Sequence, residues 1–204
     1  MSYYIRILGT QDPDIHLDDI AEELDAEALS AQFGVPQDEK PGKWTALELK
    51  NEKGKLLATI ERNPVTTEGI GREELDEFKQ SILEFQPSSA AQWLNNFFDQ
   101  VKVIYAIELL PIGMEAENYH IITTTQGLIW ELVNGILQAD EEGFTNEEGY
   151  HILWQFPDDA DGEWNCAVLN EKREWENFNM DLADEKQREE FKAGKVPAGA
   201  KRLK

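Results

Sequence analysis

The first third of the chain contains the run Trp44-Thr-Ala-Leu-Glu-Leu-Lys50, Asn51-Glu-Lys-Gly54, Lys55-Leu-Leu-Ala-Thr-Ile-Glu61. The outer segments are apolar at about every second position, which is the pattern of strands with one buried face. The middle segment ends in a glycine, which readily takes the left-handed backbone conformation of a tight turn. The run therefore predicts a β-hairpin over residues 44–61.

A second part of the chain has the same order of features. Trp164 leads to Asn170-Glu-Lys-Arg173, and a strand-like run over residues 175–180 follows. Two surface hairpins with the same turn chemistry would explain this likeness, and an ancient duplication that gave two related β-units is the alternative. Just before it, residues 151–156 and 163–169 are predicted to form a hairpin of their own.

The remaining elements follow from hydrophobic periodicity. Residues 3–8 and 103–110 predict strands, and the second of these is apolar enough to be buried on both faces. Helical spacing of apolar residues predicts helices from Leu17, from Arg72, from Ser88 and over 119–138, a short helix over 184–191, and an acidic loop over 139–149. The predicted fold class is α+β, in which antiparallel hairpins form a meander of one or two sheets with about four packed helices.

The chain has 204 residues, of which 41% are hydrophobic, and this is enough for one good core. We expect one globular α+β domain over residues 1–191, with two packed β-units around the hairpins 44–61 and 151–180 as the alternative. Residues 192–204 carry five basic residues and no acid, and they predict a flexible basic tail. The alternative for this tail is that it folds back on the acidic body.

Localisation is predicted from what the sequence lacks. Cys166 is the only cysteine, so an internal disulfide is impossible and a reducing compartment fits. The first residues do not have the pattern of a signal peptide, and no apolar run reaches the roughly 18 residues of a membrane span. The sequence therefore predicts a soluble, cytoplasmic protein.

Negative charge is concentrated in two stretches without Lys or Arg. The formal net charge is −22, with ten acids between Arg6 and Lys40 and fourteen between Lys102 and Lys172. The default interpretation is that these acids lie on solvated faces and keep the protein soluble, and the sharper one is that they gather into an electronegative surface that recruits a basic protein partner. The candidate binding residues are Asp18, Asp19, Glu22, Glu23, Asp140, Glu141, Glu142, Glu147, Glu148, Asp158, Asp159 and Asp161.

The same charge disfavours other partners. A negative field repels the phosphates of nucleic acids and the surface of anionic membranes, so neither is expected to bind directly. The sequence indicates no cofactor and no metal, and it does not identify a small-molecule ligand. A calcium loop needs an acid at its first position and glycine at its sixth. Counting from Asp140 puts Thr145 sixth, and placing Gly162 sixth puts Pro157 first.

One nucleophilic site can be argued from the predicted hairpin. If residues 156 and 163 pair across the turn, His151 lies opposite Val168 and becomes a diagonal neighbour of Cys166 on the same face. A thiol beside an imidazole is the arrangement of a cysteine nucleophile with its base. Packing of both residues in the core is the competing interpretation.

Two classes of function therefore remain. The first is a non-catalytic interaction module that binds through its acidic surface. The alternative is a small hydrolase-like enzyme, with chemistry near His151 and Cys166 or at a carboxylate metal site within 140–148. The sequence favours the first class, because its distinctive feature is the pair of base-free acidic stretches and no motif of phosphate loops or serine hydrolases is present.

Overall fold

The computed structural model describes residues 3–203, and it shows the mixed α and β structure that the sequence predicts. The α-helices of this part of the chain are α1 (Leu17–Ala26), α2 (Ile70–Ser81), α3 (Ser88–Phe97), α4 (Ala116–Val133) and α5 (Glu185–Lys192). Its strands are β1 (Tyr3–Gly9), β2 (Gln32–Gly34), β3 (Ala46–Lys50), β4 (Leu56–Pro64), β5 (Val103–Leu109), β6 (Gly135–Ala139), β7 (Gly143–Thr145), β8 (His151–Trp154), β9 (Glu163–Leu169), β10 (Trp175–Asp181) and β11 (Lys201–Arg202). None of the helices within residues 3–203 is long and apolar enough to cross a membrane.

The described chain forms two compact units. The first comprises residues 3–72 and 101–135, and the second comprises residues 73–100 and 136–203. Each unit has its own set of neighbouring strands. Together the two units contain five α-helices and more strands than the sequence predicts.

The first unit is built on antiparallel strands in the order β1-β5-β4-β3-β2. β5 lies between β1 and β4, and most of its side chains are buried, which confirms the predicted central strand. Helix α4 packs against β1 and β4, and α1 packs against α4. The buried side chains of α1 are Ile20 and Leu24, and its acidic positions are exposed.

The predicted hairpin of residues 44–61 is confirmed by the pairing of β3 with β4. The side-chain oxygen of Asn51 accepts hydrogen bonds from the backbone N–H groups of Lys53 and Lys55, both at 3.1 Å. Gly54 has a φ of +73°, which a residue with a Cβ rarely adopts. An asparagine at the first position and a glycine at the fourth thus define this turn.

The same turn recurs after Asn146 and after Asn170. The side-chain oxygen of each accepts bonds from the N–H groups two and four residues later, at distances of 2.8–3.1 Å. The tryptophans of the two similar segments, however, are placed differently: Trp44 precedes β3, whereas Trp164 lies within β9. These observations favour shared turn chemistry over duplication as the reason for the likeness.

The helix predicted over residues 119–138 is wrong in its last part. Helix α4 ends at Val133, where Asn134 takes the left-handed conformation with φ of 48°, and β6 then begins at Gly135. A Cβ at Gly135 would lie 2.5 Å from the carbonyl oxygen of Leu8. The pair Asn134-Gly135 therefore ends the helix and lets the chain pass close to β1. The predicted acidic loop is likewise wrong in part, because it contains β7.

The second unit has strands in the order β6-β7-β8-β9-β10-β11. The hairpin predicted for residues 151–156 and 163–169 is wrong, because β8 pairs antiparallel with β7 and parallel with β9. The turn after Asn146 accounts for the difference, since it joins β8 to the preceding strand. Residues 155–162 then cross back to the start of β9 instead of making a tight turn.

The predicted last strand and short helix of this unit are confirmed as β10 and α5. The side chain of Asp184 caps α5 by accepting hydrogen bonds from the N–H groups of Lys186 and Gln187. Phe191 of α5 is fully buried in a core that includes Cys166 and Phe178. This core fixes α5 against β9 and β10.

The basic end of the chain has contacts as far as residue 203. Val196 and Ala200 pack against the core of the second unit, and Lys201–Arg202 form β11 beside β10. The backbone N–H of Leu203 donates to the carbonyl of Asn177 at 2.8 Å. In the structure the segment predicted as a flexible tail folds back on the body, as the alternative interpretation had it.

Candidate functional site

Helix α1 carries the first group of predicted binding residues on its exposed side: Asp18, Asp19, Glu22 and Glu23. Buried Ile20 and Leu24 hold the helix on the first unit, so the carboxylates point away from the core. Within residues 3–203, no ion pair joins any of these four acids to a basic side chain. The structure thus brings these four residues together on one solvated helix.

Part of the negative charge of α1 opposes the stability of the helix. Asp18 and Glu22 are four residues apart, as are Asp19 and Glu23, and like charges at this spacing destabilise a helix by about 0.2–0.5 kcal/mol per pair. The last turn contains no basic residue that would interact favourably with the helix dipole. Asp18 and Asp19 lie in the first turn, where acids interact favourably with the helix dipole, and Oδ2 of Asp19 accepts from the backbone N–H of His16 at 3.4 Å. Helix stability therefore accounts for these two acids but not for Glu22 and Glu23.

Two acids that precede α1 are neutralised by cations from later in the chain. Nε and Nη2 of Arg62 both donate to Oδ1 of Asp12, at 2.9 and 2.7 Å, and Lys43 lies 3.3 Å from Asp14. The first base-free stretch is therefore partly neutralised, but the neutralised acids precede the helix and do not belong to it. Its unpaired negative charge is concentrated on α1.

The sequence did not indicate the cluster around Arg62. Tyr105 of β5 lies opposite Arg62 of β4, and the ring of Trp44 makes an edge contact with Tyr105 at 5.7 Å. Burial raises the pKa of Tyr105 to about 12. Asp12 reaches this cluster from the turn that follows β1, at a sequence separation that no local pattern could show. A neutral phenol and a satisfied ion pair serve to fix that turn on the sheet.

The second group of predicted binding residues is divided among three places in the second unit. Residues 140–142 form the turn before β7, and Glu147 and Glu148 belong to the turn after it. These two turns lie at opposite ends of β7, whose three residues span about 10 Å. Partial desolvation, and after it the charge of Glu148, raises the pKa of Glu147.

The third place is the connection from β8 to β9, which carries Asp158, Asp159 and Asp161 in exposed positions. The guanidinium of Arg188 donates to the backbone carbonyl of Asp158 at 2.6 Å, and so it leaves that carboxylate unneutralised. No three His, Cys, Asp or Glu side chains among residues 3–203 are grouped as metal ligands. The candidate acids of this unit are therefore divided among three places, and all of them except the half-buried Asp140 and Glu142 are exposed.

The structure makes His151 and Cys166 direct neighbours, but not as the sequence predicted. They lie opposite each other in the parallel pair of β8 and β9, so the predicted register with His151 opposite Val168 is wrong. Both side chains are buried, and the His151 ring lies 4.5 Å from that of Phe156 and 5.8 Å from that of Trp164. Among the described residues, nothing forms a hydrogen bond with Nε2 of His151.

Burial acts against a catalytic pair at this position. It lowers the pKa of His151 to about 3 and raises the pKa of Cys166 to about 12. Both groups are therefore uncharged at neutral pH, whereas a cysteine nucleophile requires the thiolate. The surroundings are those of a packed aromatic core.

Two polar clefts were not indicated by the sequence. The cleft in the first unit, of about 250 Å³, is bordered by Asn118, whose amide donates to the carbonyl of Ile112 at 2.9 Å and accepts from Asn51 at 3.2 Å. Because the polar atoms of Asn118 are already paired, this cleft gives no indication of a ligand.

The second cleft lies in the second unit and has a volume of about 410 Å³. Strand pairing builds one side of it, with Glu163 opposite Asp181 and Asn165 opposite Asn179. Lys201 from β11 lies at its border. The sequence signal for this cleft is the alternation in residues 163–165 and 179–181, where the first and third residues are polar. Their side chains point to the face of the sheet opposite to that of the core residue between them.

No protein-family model, curated protein or solved structure matches this chain.

Proposed function

We propose that the protein is a non-catalytic binding module that uses an electronegative surface, and above all helix α1, to bind a basic protein partner. The observation that carries the proposal is the row of exposed carboxylates on α1 without ion-pair partners. A basic partner would reduce the repulsion between these carboxylates, and this reduction would contribute favourably to the free energy of binding. The same field would accelerate encounter with a positively charged protein.

The hydrolase-like alternative has weaker support. His151 and Cys166 are buried and uncharged at neutral pH, and the acids of residues 140–148 are divided between two ends of β7. An enzyme of this kind would need these groups to be charged, close together and open to substrate. A strong thermal stabilisation by a small molecule would support this alternative, because binding to the native state raises its stability.

Affinity capture with immobilised full-length protein, followed by titration of the captured partner, tests the proposal. We expect a basic protein to be retained at about 50 mM salt and released at about 0.5 M, where exposed charges are strongly screened. The double variant Glu22→Lys/Glu23→Lys should lose the partner. Retention that does not depend on salt would contradict an electrostatic surface.

A matched control separates the helix from the overall charge. Glu84 and Glu171 are exposed and lie outside α1, and the variant Glu84→Lys/Glu171→Lys changes the net charge by the same amount. This control should keep the partner. If both double variants lose it equally, net charge and not helix α1 determines the binding.

A further inference from the structure

Among the residues that the structure describes, 201–203 cover only a short part of the outer edge of β10. β10 pairs with β9 along all of its seven residues, but with β11 only at Phe178 opposite Arg202 and Asn179 opposite Lys201. The bond from Leu203 to Asn177 extends this contact by one residue. A longer strand could therefore pair with β10 at the same edge.

The surface that residues 195–203 cover is acidic. Nη1 of Arg202 lies 2.8 Å from Oε2 of Glu176, and the backbone N–H of Ala198 donates to the carboxylate of Glu190. Residues 195–203 contain three basic residues and no acid. The resident segment is thus complementary in charge to the edge on which it lies.

The two basic residues of β11 use opposite faces of the sheet. Lys201 borders the cleft of about 410 Å³ that Glu163 and Asp181 line, whereas Arg202 pairs with Glu176. Successive side chains of a strand point to opposite faces, so two consecutive basic residues can contact both groups of acids at once. The resident segment therefore presents a basic pair, in an extended backbone, to the acids on both faces of this edge.

We infer that the outer edge of β10 is a binding site for an extended basic peptide of a partner protein, and that residues 195–203 are its resident competitor. The incoming segment adds a strand to β10 and places consecutive Lys or Arg residues against Glu163 and Glu176. This mode of recognition combines backbone hydrogen bonds with side-chain specificity. The site lies in the second unit and does not depend on the proposed role of helix α1.

The covalent link gives the resident segment an advantage. A segment tethered by a short linker acts at an effective concentration of about 1 mM, so a free peptide of equal intrinsic affinity competes poorly below that concentration. Weakening the resident segment should therefore increase the apparent affinity for a free peptide, with no change in the edge itself.

The test uses the full chain and a labelled synthetic peptide with the sequence of residues 195–204. The variant Lys201→Glu/Arg202→Glu repels the resident strand from Glu163 and Glu176, and it leaves Val196 and Ala200 in place to preserve the core contact. We expect fluorescence anisotropy to show peptide binding about tenfold or more tighter than to the wild type. Equal affinities for the two proteins would overturn the inference.

Three comparisons make the result specific. The conservative variant Lys201→Arg/Arg202→Lys should bind the peptide as weakly as the wild type does. Adding Glu163→Lys and Glu176→Lys to the opened variant should abolish binding, and binding that survives this change would place the peptide elsewhere. Adding Glu22→Lys and Glu23→Lys instead should leave it unchanged, which separates this site from the α1 surface.

Wild-type protein provides a second measurement if the opened variant does not fold. At peptide concentrations of several mM, above the effective concentration of about 1 mM, the backbone amide signals of Asn177 and Asn179 should shift in NMR spectra. Shifts confined to α1, or none at all, would overturn the inference.

Discussion

Arg173 has the backbone conformation that glycine has in the two related turns. Its φ is +63°, while Gly54 and Gly149 at the equivalent positions have +73° and +86°. A residue with a Cβ in this conformation is strained by about 1–2 kcal/mol, and the greater freedom of an unfolded glycine offsets part of that. The three asparagine turns thus share one geometry, and one of them carries a residue poorly suited to it.

Arg173→Gly should therefore raise the free energy of unfolding, by up to about 1 kcal/mol. Urea denaturation measures the change. Arg173→Ala is the matched control, because it removes the same charged side chain but keeps the Cβ, and it should give no gain. A gain of equal size in both variants would assign the effect to the charge and not to the backbone.

His151 makes the stability of the second unit sensitive to acid. Burial lowers its pKa to about 3 in the folded protein, against an ordinary value of 6.5. As the pH falls below 6.5, the unfolded state binds a proton that the folded state does not, so folding becomes less favourable. The loss approaches about 1.4 kcal/mol per pH unit well below that value, until the folded pKa is reached.

His151→Leu should remove this part of the pH dependence. Thermal melts at pH 7.5 and pH 4.5 measure it, and the drop in Tm between the two should be smaller than in the wild type. The exposed His120 provides the control, since His120→Gln should leave the drop unchanged. An equal drop in all three proteins would show that the carboxylates, and not His151, determine the acid sensitivity.

In helix α1, repulsion between exposed acids lowers the stability of the helix. Glu23 lies four residues after Asp19 and four before Glu27, and all three are exposed. Glu23→Lys would convert two repulsive pairs into attractive ones, so we expect a gain in stability of about 1 kcal/mol. The free energy of unfolding should rise while binding of the basic partner weakens.

Salt dependence distinguishes this explanation from others. The stabilisation by Glu23→Lys should shrink at about 0.5 M salt, because exposed pairs are screened there. Glu171→Lys, in an exposed turn, is the comparison and should have little effect. A destabilising effect of Glu23→Lys at low salt would mean that Glu23 has a structural partner, and it would weaken the proposed role of α1.

Elements with a strong local signal could be predicted, and those that depend on distant pairing could not. The hairpin of β3 and β4 follows from alternating apolar residues and Gly54, and β5 follows from its apolar composition. In contrast, β7 has only three residues, so no periodicity can distinguish it from the acidic loop around it. Without β7, the sequence offered β9 as the only antiparallel partner of β8, and the wrong register of His151 followed from that.

For the whole molecule, the least predictable feature is the end of the chain. Val196 and Ala200 are single apolar residues in a basic, glycine-containing segment, and such composition usually indicates a solvated terminus. Their place against the core containing Phe191 depends on a surface formed by residues from elsewhere. The candidate site was similar: the acids of α1 could be predicted, but the acidic cleft beside β11 needed the register of β9 and β10.

Removal of residues 195–204 should lower Tm, because it exposes the part of the core that Val196 and Ala200 cover. Differential scanning calorimetry measures the change. Lys195→Ala is the control: it keeps the apolar contacts and should leave Tm within about 1 °C of the wild type, as surface substitutions usually do. A truncated protein with an unchanged Tm would show that the segment is flexible, as the sequence predicts.

The order of the two units along the chain has a consequence for biosynthesis. The first unit is complete once Gly135 has left the ribosome, whereas α2 and α3 of the second unit have emerged before any of its strands. Until β8 and β9 follow, buried side chains of α3 such as Leu94 have no sheet to cover them. A ribosome that pauses just after Gly135 has emerged from it therefore displays a finished half of the protein together with two uncovered amphipathic helices, which is the kind of surface that chaperones bind.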